Sequence, residues 1–191
     1  YTLMDPTNEN TRDLLPNYLC NKSYLIAKPE GEDLQTSPIV PATNNLLRIS
    51  SKGRLTSDNT LEMDTEMVFE GVNDSVYRGF FTRQKPEELR RYFEEKIEKD
   101  LPGSKLSAFA IRPRNLRNTD EPLAALFSFG IEDYPVQNHS LALLPPPWVG
   151  ESMGMANIIL RGTGLEEREY PLVTDIACGI EESFTIDLSD S

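Results

Sequence analysis

The sequence predicts a mainly β protein, an antiparallel β-sandwich-like domain with one amphipathic helix over residues 86–101. Three observations lead there. Residues 61–70 alternate, with Leu61, Met63, Thr65, Met67 and Phe69 on one face and Glu62, Asp64, Glu66 and Glu70 on the other. Period-two alternation marks a strand with one face on a core and one in water. Fourteen prolines spread along 191 residues, with a hydrophobic content of 38%, suit loop-rich β structure better than a helical bundle. Helical recurrence of apolar residues is clear in residues 86–101 only.

Each element follows from its own residues. Residues 8–22 are polar and read as a loop anchored by Leu14 and Leu15. Residues 24–27 form a short strand, 30–33 a turn, and 34–36 the returning partner of a hairpin. Pro38 and Pro41 bracket Ile39 and Val40, giving an extended connector and a domain boundary near residue 43. Residues 46–51 are strand-like, with a turn at Ser51-Lys52-Gly53. The acidic face of 61–70 is either a solvated face or a calcium site. Carboxylates spaced along one strand do not wrap a cation as a loop does, so the solvated face is the expectation. Residues 71–75 read as a turn and 76–81 as a short strand.

The helix is argued from both ends. Pro86 suits the first helical position, and Glu87 and Glu88 sit where the macrodipole favours acids. Leu89, Phe93, Ile97 and Leu101 make one stripe with Tyr92 beside it, and Pro102-Gly103 ends it. Pairs Glu87–Arg91 and Glu95–Lys99 are spaced for the exposed side. Beyond it, 106–112 alternates, 115–122 is a polar loop and 123–131 is an apolar, central strand. Residues 141–144 form a strand stopped by Pro145-Pro146-Pro147. That triple proline with Trp148 is either a polyproline ligand or a rigid connector whose tryptophan fills a groove, the second being the expectation. Residues 150–154 read as flexible, 158–160 as a short apolar run, and 183–188 as a final alternating strand.

Several function classes lose support. The net charge of −12 argues against a nucleic-acid partner, because the basic clusters Arg112, Arg114, Arg117 and Arg90, Arg91 are diluted by acids. No apolar run reaches the length of a membrane span, and residues 1–20 do not read as a charged-then-apolar leader. There is no glycine-rich phosphate loop, no Cys/His metal spacing and no serine elbow, so no cofactor or metal is expected. Cys20 and Cys178 form one disulfide or none. His139, between Asn138 and Ser140, reads as a surface loop residue.

The first residues, Tyr1-Thr2-Leu3-Met4-Asp5-Pro6-Thr7, read as a β-prone run ending at Asp5, because Pro6 cannot continue a ladder. A carboxylate fixed at a strand tip can accept a histidine N–H, set its tautomer and stabilise the imidazolium. After it come Leu14-Leu15-Pro16, Ser23-Tyr24-Leu25-Ile26-Ala27, Pro38-Ile39-Val40-Pro41 and Asn44-Asn45. This order resembles the region after the catalytic aspartate of bacterial, exported transglutaminase-like proteins, which carry a papain-like Cys-His-Asp core. Arg168-Glu169-Tyr170-Pro171-Leu172 and residues 183–188 resemble segments of the same family's C-terminal domain.

The resemblance implies that residues 1–43 are the tail of such a core, contributing the terminal strands of its α+β fold. Residues 44–191 would then be a C-terminal β-sandwich domain, truncated at its end. Asp5 takes the place of the triad aspartate, acting only in the intact parent. The family's cysteine and histidine precede that aspartate, and Cys20, Cys178 and His139 match neither position. The chain alone is therefore expected to be non-catalytic. It would support the missing N-terminal core of a cysteine peptidase or acyltransferase with a protein or peptide substrate, in the periplasm or at the cell surface. The signal of an exported parent is then expected in its missing N-terminal part. The competing reading is an independent β-sandwich module that binds a surface glycan or protein.

Overall fold

A computed structural model describes residues 2–138 and 141–188. The chain is mainly β, with 29% strand against 20% helix. Near the start, β1 (Ser23–Tyr24) pairs antiparallel with β2 (Gln35–Thr36), the predicted hairpin in shortened form. The main body contains β3 (Leu46–Leu55), β4 (Leu61–Phe69), α1 (Val72–Phe81), α2 (Pro86–Asp100), β5 (Ser104–Arg112) and β6 (Leu123–Ile131). A small ribbon follows, β7 (Val136–Asn138) against β8 (Leu141–Leu143), then the short α3 (Met155–Ile159) and β9 (Gly179–Asp187).

Five strands form one sheet in the order β5-β6-β4-β3-β9. All neighbours are antiparallel except β3 and β9, which run parallel. The alternation of β4 acts as predicted: Leu61, Met63, Thr65, Met67 and Phe69 are buried, and Glu62, Asp64 and Glu66 face water. The buried face is closed by a helical layer. Tyr77 and Phe81 of α1 meet Phe69 at ring distances of 4.7 and 5.7 Å. Leu89, Phe93 and Ile97 of α2 form the predicted stripe, with Phe93 reaching Phe109 at 4.9 Å and Phe127 at 5.9 Å. Aromatic rings at such offsets add to simple area burial. The opposite face of the sheet has no covering layer among the described residues.

Several local expectations are corrected. Residues 76–81 are helical, not a strand. Val76, Tyr77, Phe80 and Phe81 look β-prone singly, but Tyr77 and Phe81 are four apart and share one helix face on the core. The turn expected at Gly53 lies instead at residues 56–60, where the Thr56 N–H donates to the Thr60 carbonyl at 2.9 Å. Gly53 stays inside β3 because its neighbour is close: a Cβ there would stand 2.0 Å from the Glu62 carbonyl oxygen. Residues 150–154 are not a loose tether, since Gly150 and Met153 are buried and Asn157 Nδ2 donates to the Gly150 carbonyl at 3.1 Å. The apolar run at 158–160 belongs to α3 and the turn that follows it. Trp148 packs edge-on against Phe184 of β9 at 4.9 Å, the groove-filling role expected of it.

Glu182 points to the helical side of β9, opposite Ile49 in the parallel register. Its carboxylate accepts the N–H groups of Val149 at 2.7 Å and Gly150 at 3.2 Å. Burial pushes its pKa up, opposed by those two N–H groups and reinforced by Asp100 and Glu151. Asp100 is also raised, chiefly by burial. A carboxyl whose folded pKa lies above its unfolded value adds stability at low pH and loses it as pH rises through the folded pKa. Glu182 therefore weakens the fold as pH climbs above about 4.5. Urea titrations at pH 4.5 and 7 are expected to show that Glu182→Gln improves neutral-pH stability relative to acid-pH stability. An unchanged difference between the two pH values would remove Glu182 from the pH response.

Candidate functional site

Asp5 lies in a loop. Residues 2–5 form no strand; the Asp5 N–H donates to the Leu14 carbonyl at 2.8 Å, so Leu14 anchors the loop as a backbone partner. The strand-tip placement is thus corrected: Pro6 breaks any ladder, and the described residues offer residues 2–5 no neighbouring strand. The carboxylate is nonetheless held in a fixed direction. Oδ1 accepts the Thr7 N–H at 2.9 Å and the Thr7 hydroxyl at 2.6 Å. Oδ2 accepts the Tyr18 hydroxyl at 2.5 Å. The Thr7 hydroxyl, then Tyr18 and the Thr7 N–H, hold the Asp5 carboxyl below the ordinary carboxylate range. The same contact raises the Tyr18 phenol. Asp5 is half-buried and ionised at neutral pH, with one hydrogen bond on Oδ2 among the described residues.

The segment carrying Asp5 is tied to the main sheet through buried amides. Asn45, fully buried just before β3, donates through Nδ2 to Asn17 Oδ1 at 3.0 Å and to the Ala177 carbonyl at 2.8 Å. Its Oδ1 accepts the Val72 N–H at the start of α1 at 2.9 Å. Asn73 donates to the Asn45 carbonyl at 2.8 Å and accepts the Met155 N–H at 2.8 Å. Gly71 is required beside this hub: its φ is +55°, and a Cβ would lie 2.1 Å from Asn45 Oδ1.

The other sequence candidates are placed as follows. Cys20 and Cys178 are both free thiols. Burial pushes each thiol pKa up, with Asp13 adding to the effect at Cys20, so neither is an activated nucleophile. His139 lies outside the described residues. Across the open face Arg54 of β3 pairs with Glu62 of β4 at 2.9 Å, Arg48 pairs with Glu70, just past β4, at 3.3 Å, and Asp64 accepts the Ser128 hydroxyl of β6 at 2.5 Å. Among the described residues no group of three or more His, Cys, Asp or Glu side chains is arranged to hold a metal ion. No helix among them is long and apolar enough to cross a membrane. Arg168 is exposed and donates to the Thr163 carbonyl, a local corner contact.

Sequence reasoning missed the partnership of Tyr18 with Asp5, thirteen residues apart, and the hub at Asn45. A polar residue between the connector prolines and the first long strand was the available signal for Asn45. Nothing in the sequence marks Tyr18. Comparison with protein-family models, with curated proteins and with solved structures finds no match to this chain.

Proposed function

We propose that this chain is the non-catalytic C-terminal portion of a transglutaminase-like cysteine peptidase or acyltransferase, in which Asp5 orients the catalytic histidine. One observation supports the reading: an ionised carboxylate held by Thr7 and Tyr18, with Oδ2 taking a single hydrogen bond among the described residues. A carboxylate oxygen has room for a second donor. An imidazole N–H placed there would have its tautomer fixed and its protonated form stabilised. The nucleophilic thiolate and that imidazole come from the preceding part of the parent, and the thiolate attacks an amide carbonyl. The sheet and helices, tied on through Asn45, steady the Asp5 loop.

The test is Asp5→Asn in the parent polypeptide. Asparagine keeps the acceptor for both Thr7 donors, and its Nδ2 donates to the Tyr18 hydroxyl where the carboxylate accepted from it, so the loop geometry survives. Turnover of an amide substrate is expected to fall by roughly 10²–10⁴-fold, the range a positioned acid–base system supplies. Thermal unfolding is expected to be unchanged. Undiminished turnover would take Asp5 out of the mechanism. A parent with no thiol-dependent turnover would favour the second reading, a binding module, for which the specific observation is the uncovered sheet face.

A further inference from the structure

The two edges of the sheet are finished differently. β9 carries the inward-pointing Glu182, with Trp148 to Gly150 lying against it. An inward charge on an edge discourages another strand from adding. The first half of β5 is also protected. Arg90 of α2 donates to the Leu106 carbonyl at 2.8 Å, and the register with β6 shifts between Leu106 and Ala108. Residues 108–112 carry neither device among the described residues. Ala108, Ala110 and Arg112 are exposed on the open face, and Phe109 and Ile111 are half-buried on the helical side.

Beside this open half lies a groove of about 430 Å³ between the helices and the loop that follows β5. Phe81, Leu89, Phe109, Ile111 and Leu116 give it an apolar lining. Its charged lining residues are Arg114 and Arg117, and no acid lines it. Arg112, Arg114 and Arg117 are all exposed, and none has a carboxylate partner among the described residues. In a chain of net charge −12, these guanidinium groups make a local field of opposite sign.

We infer that residues 108–112 and this groove receive an extended acidic peptide segment of a partner protein, added as a sixth strand. Backbone groups of β5 give the hydrogen bonds, and alternate side chains give the selection. Side chains on the helical side are apolar and enter the groove. Those on the open face are carboxylates that meet Arg112, and an acid at the segment's end meets Arg114 and Arg117. A basic segment would face three like charges, which is the element that rejects it.

The chain is titrated with a labelled short peptide alternating glutamate and valine around a central phenylalanine, read by fluorescence anisotropy. Saturable binding is expected. Replacing the glutamates by lysine is expected to weaken it at least about tenfold, as is the paired substitution Arg114→Glu with Arg117→Glu. N-methylating one alternate set of peptide amides is expected to abolish binding, and methylating the other set to leave it. The inference is overturned by absence of saturable binding at millimolar peptide, by equal binding of the lysine peptide, or by equal tolerance of both methylated sets. Self-association of the chain that disappears in the arginine variant would also overturn it, since a second copy would then fill the groove.

Discussion

Replacing Arg78 by methionine is expected to lower the free energy of unfolding by about 3–5 kcal/mol, the cost of breaking a buried ion pair. Arg78 is fully buried in α1, and all five of its N–H groups are used. Nε and Nη2 hold the two oxygens of Asp74 at 2.7 and 2.9 Å. Nη1 donates to the carbonyls of Leu116 and Asn118 at 2.8 and 2.9 Å, and Nη2 to that of Glu121 at 2.8 Å. Asp74 in turn accepts the Leu123 N–H at 3.0 Å, at the first residue of β6. One guanidinium therefore organises the whole loop between β5 and β6. Methionine fills much of the volume but leaves a buried carboxylate with the Leu123 N–H and no counter-charge, and takes the donor from three carbonyls. Lysine is not a remedy, because three donors on a point charge cannot span both sides.

The companion variant separates this view from a simple ion pair. Combining Arg78→Met with Asp74→Leu removes both charges, and for an isolated pair that change is near neutral. Here the carbonyls of Leu116, Asn118 and Glu121 stay without their donor, and the Leu123 N–H loses its acceptor as well, so part of the cost remains. The double variant is expected to recover only part of the loss in urea denaturation. Full recovery to wild-type stability would show that the loop carbonyls do not depend on Arg78.

Asn45→Ala is expected to cost about 2–4 kcal/mol, because truncation strands the Val72 N–H, Asn17 Oδ1 and the Ala177 carbonyl at once. Asn45→Asp keeps the acceptor for Val72 but faces two acceptor oxygens with none of the lost donors, so it is expected to do no better. Urea denaturation of both variants, with hydrogen exchange at the Val72 amide, checks this. An Asn45→Ala protein of wild-type stability would mean that water replaces the amide at no cost.

The elements readable from the sequence were those with one dominant period. In β4 the alternation of Leu61, Met63, Met67 and Phe69 against acids leaves one choice of face. In α2 the four-residue recurrence of Leu89, Phe93 and Ile97, with Pro86 at its start, leaves one choice of helix. β6 was readable from sheer apolarity. α1 was not, because its buried face includes Asn73, Asp74 and Arg78, residues that composition assigns to the surface. The burial of Asp74 and Arg78 is settled by partners 38 to 49 residues away, in the loop after β5 and at the first residue of β6, and that of Asn73 by Asn45 and Met155. The helical layer follows from the same miss, since one helix cannot cover a five-stranded sheet and two can. At Asp5, the proline after it marked a chain break and a directed carboxylate. The sequence carried no sign of Tyr18, whose approach depends on how the intervening polar loop folds back.

The parallel pairing of β3 with β9 joins residues 133 positions apart. During synthesis β4, both long helices, β5 and β6 all emerge before β9 does. The stretch from Ile131 to Gly179 takes roughly 2–10 s to make at about 5–20 residues per second. Through that interval the nascent sheet presents β3 as a bare ladder, with Leu47 and Ile49 beside it not yet covered by Ile180 and Phe184. Until residues 179–187 arrive, that edge offers unpaired N–H and C=O groups on which any other extended segment can pair.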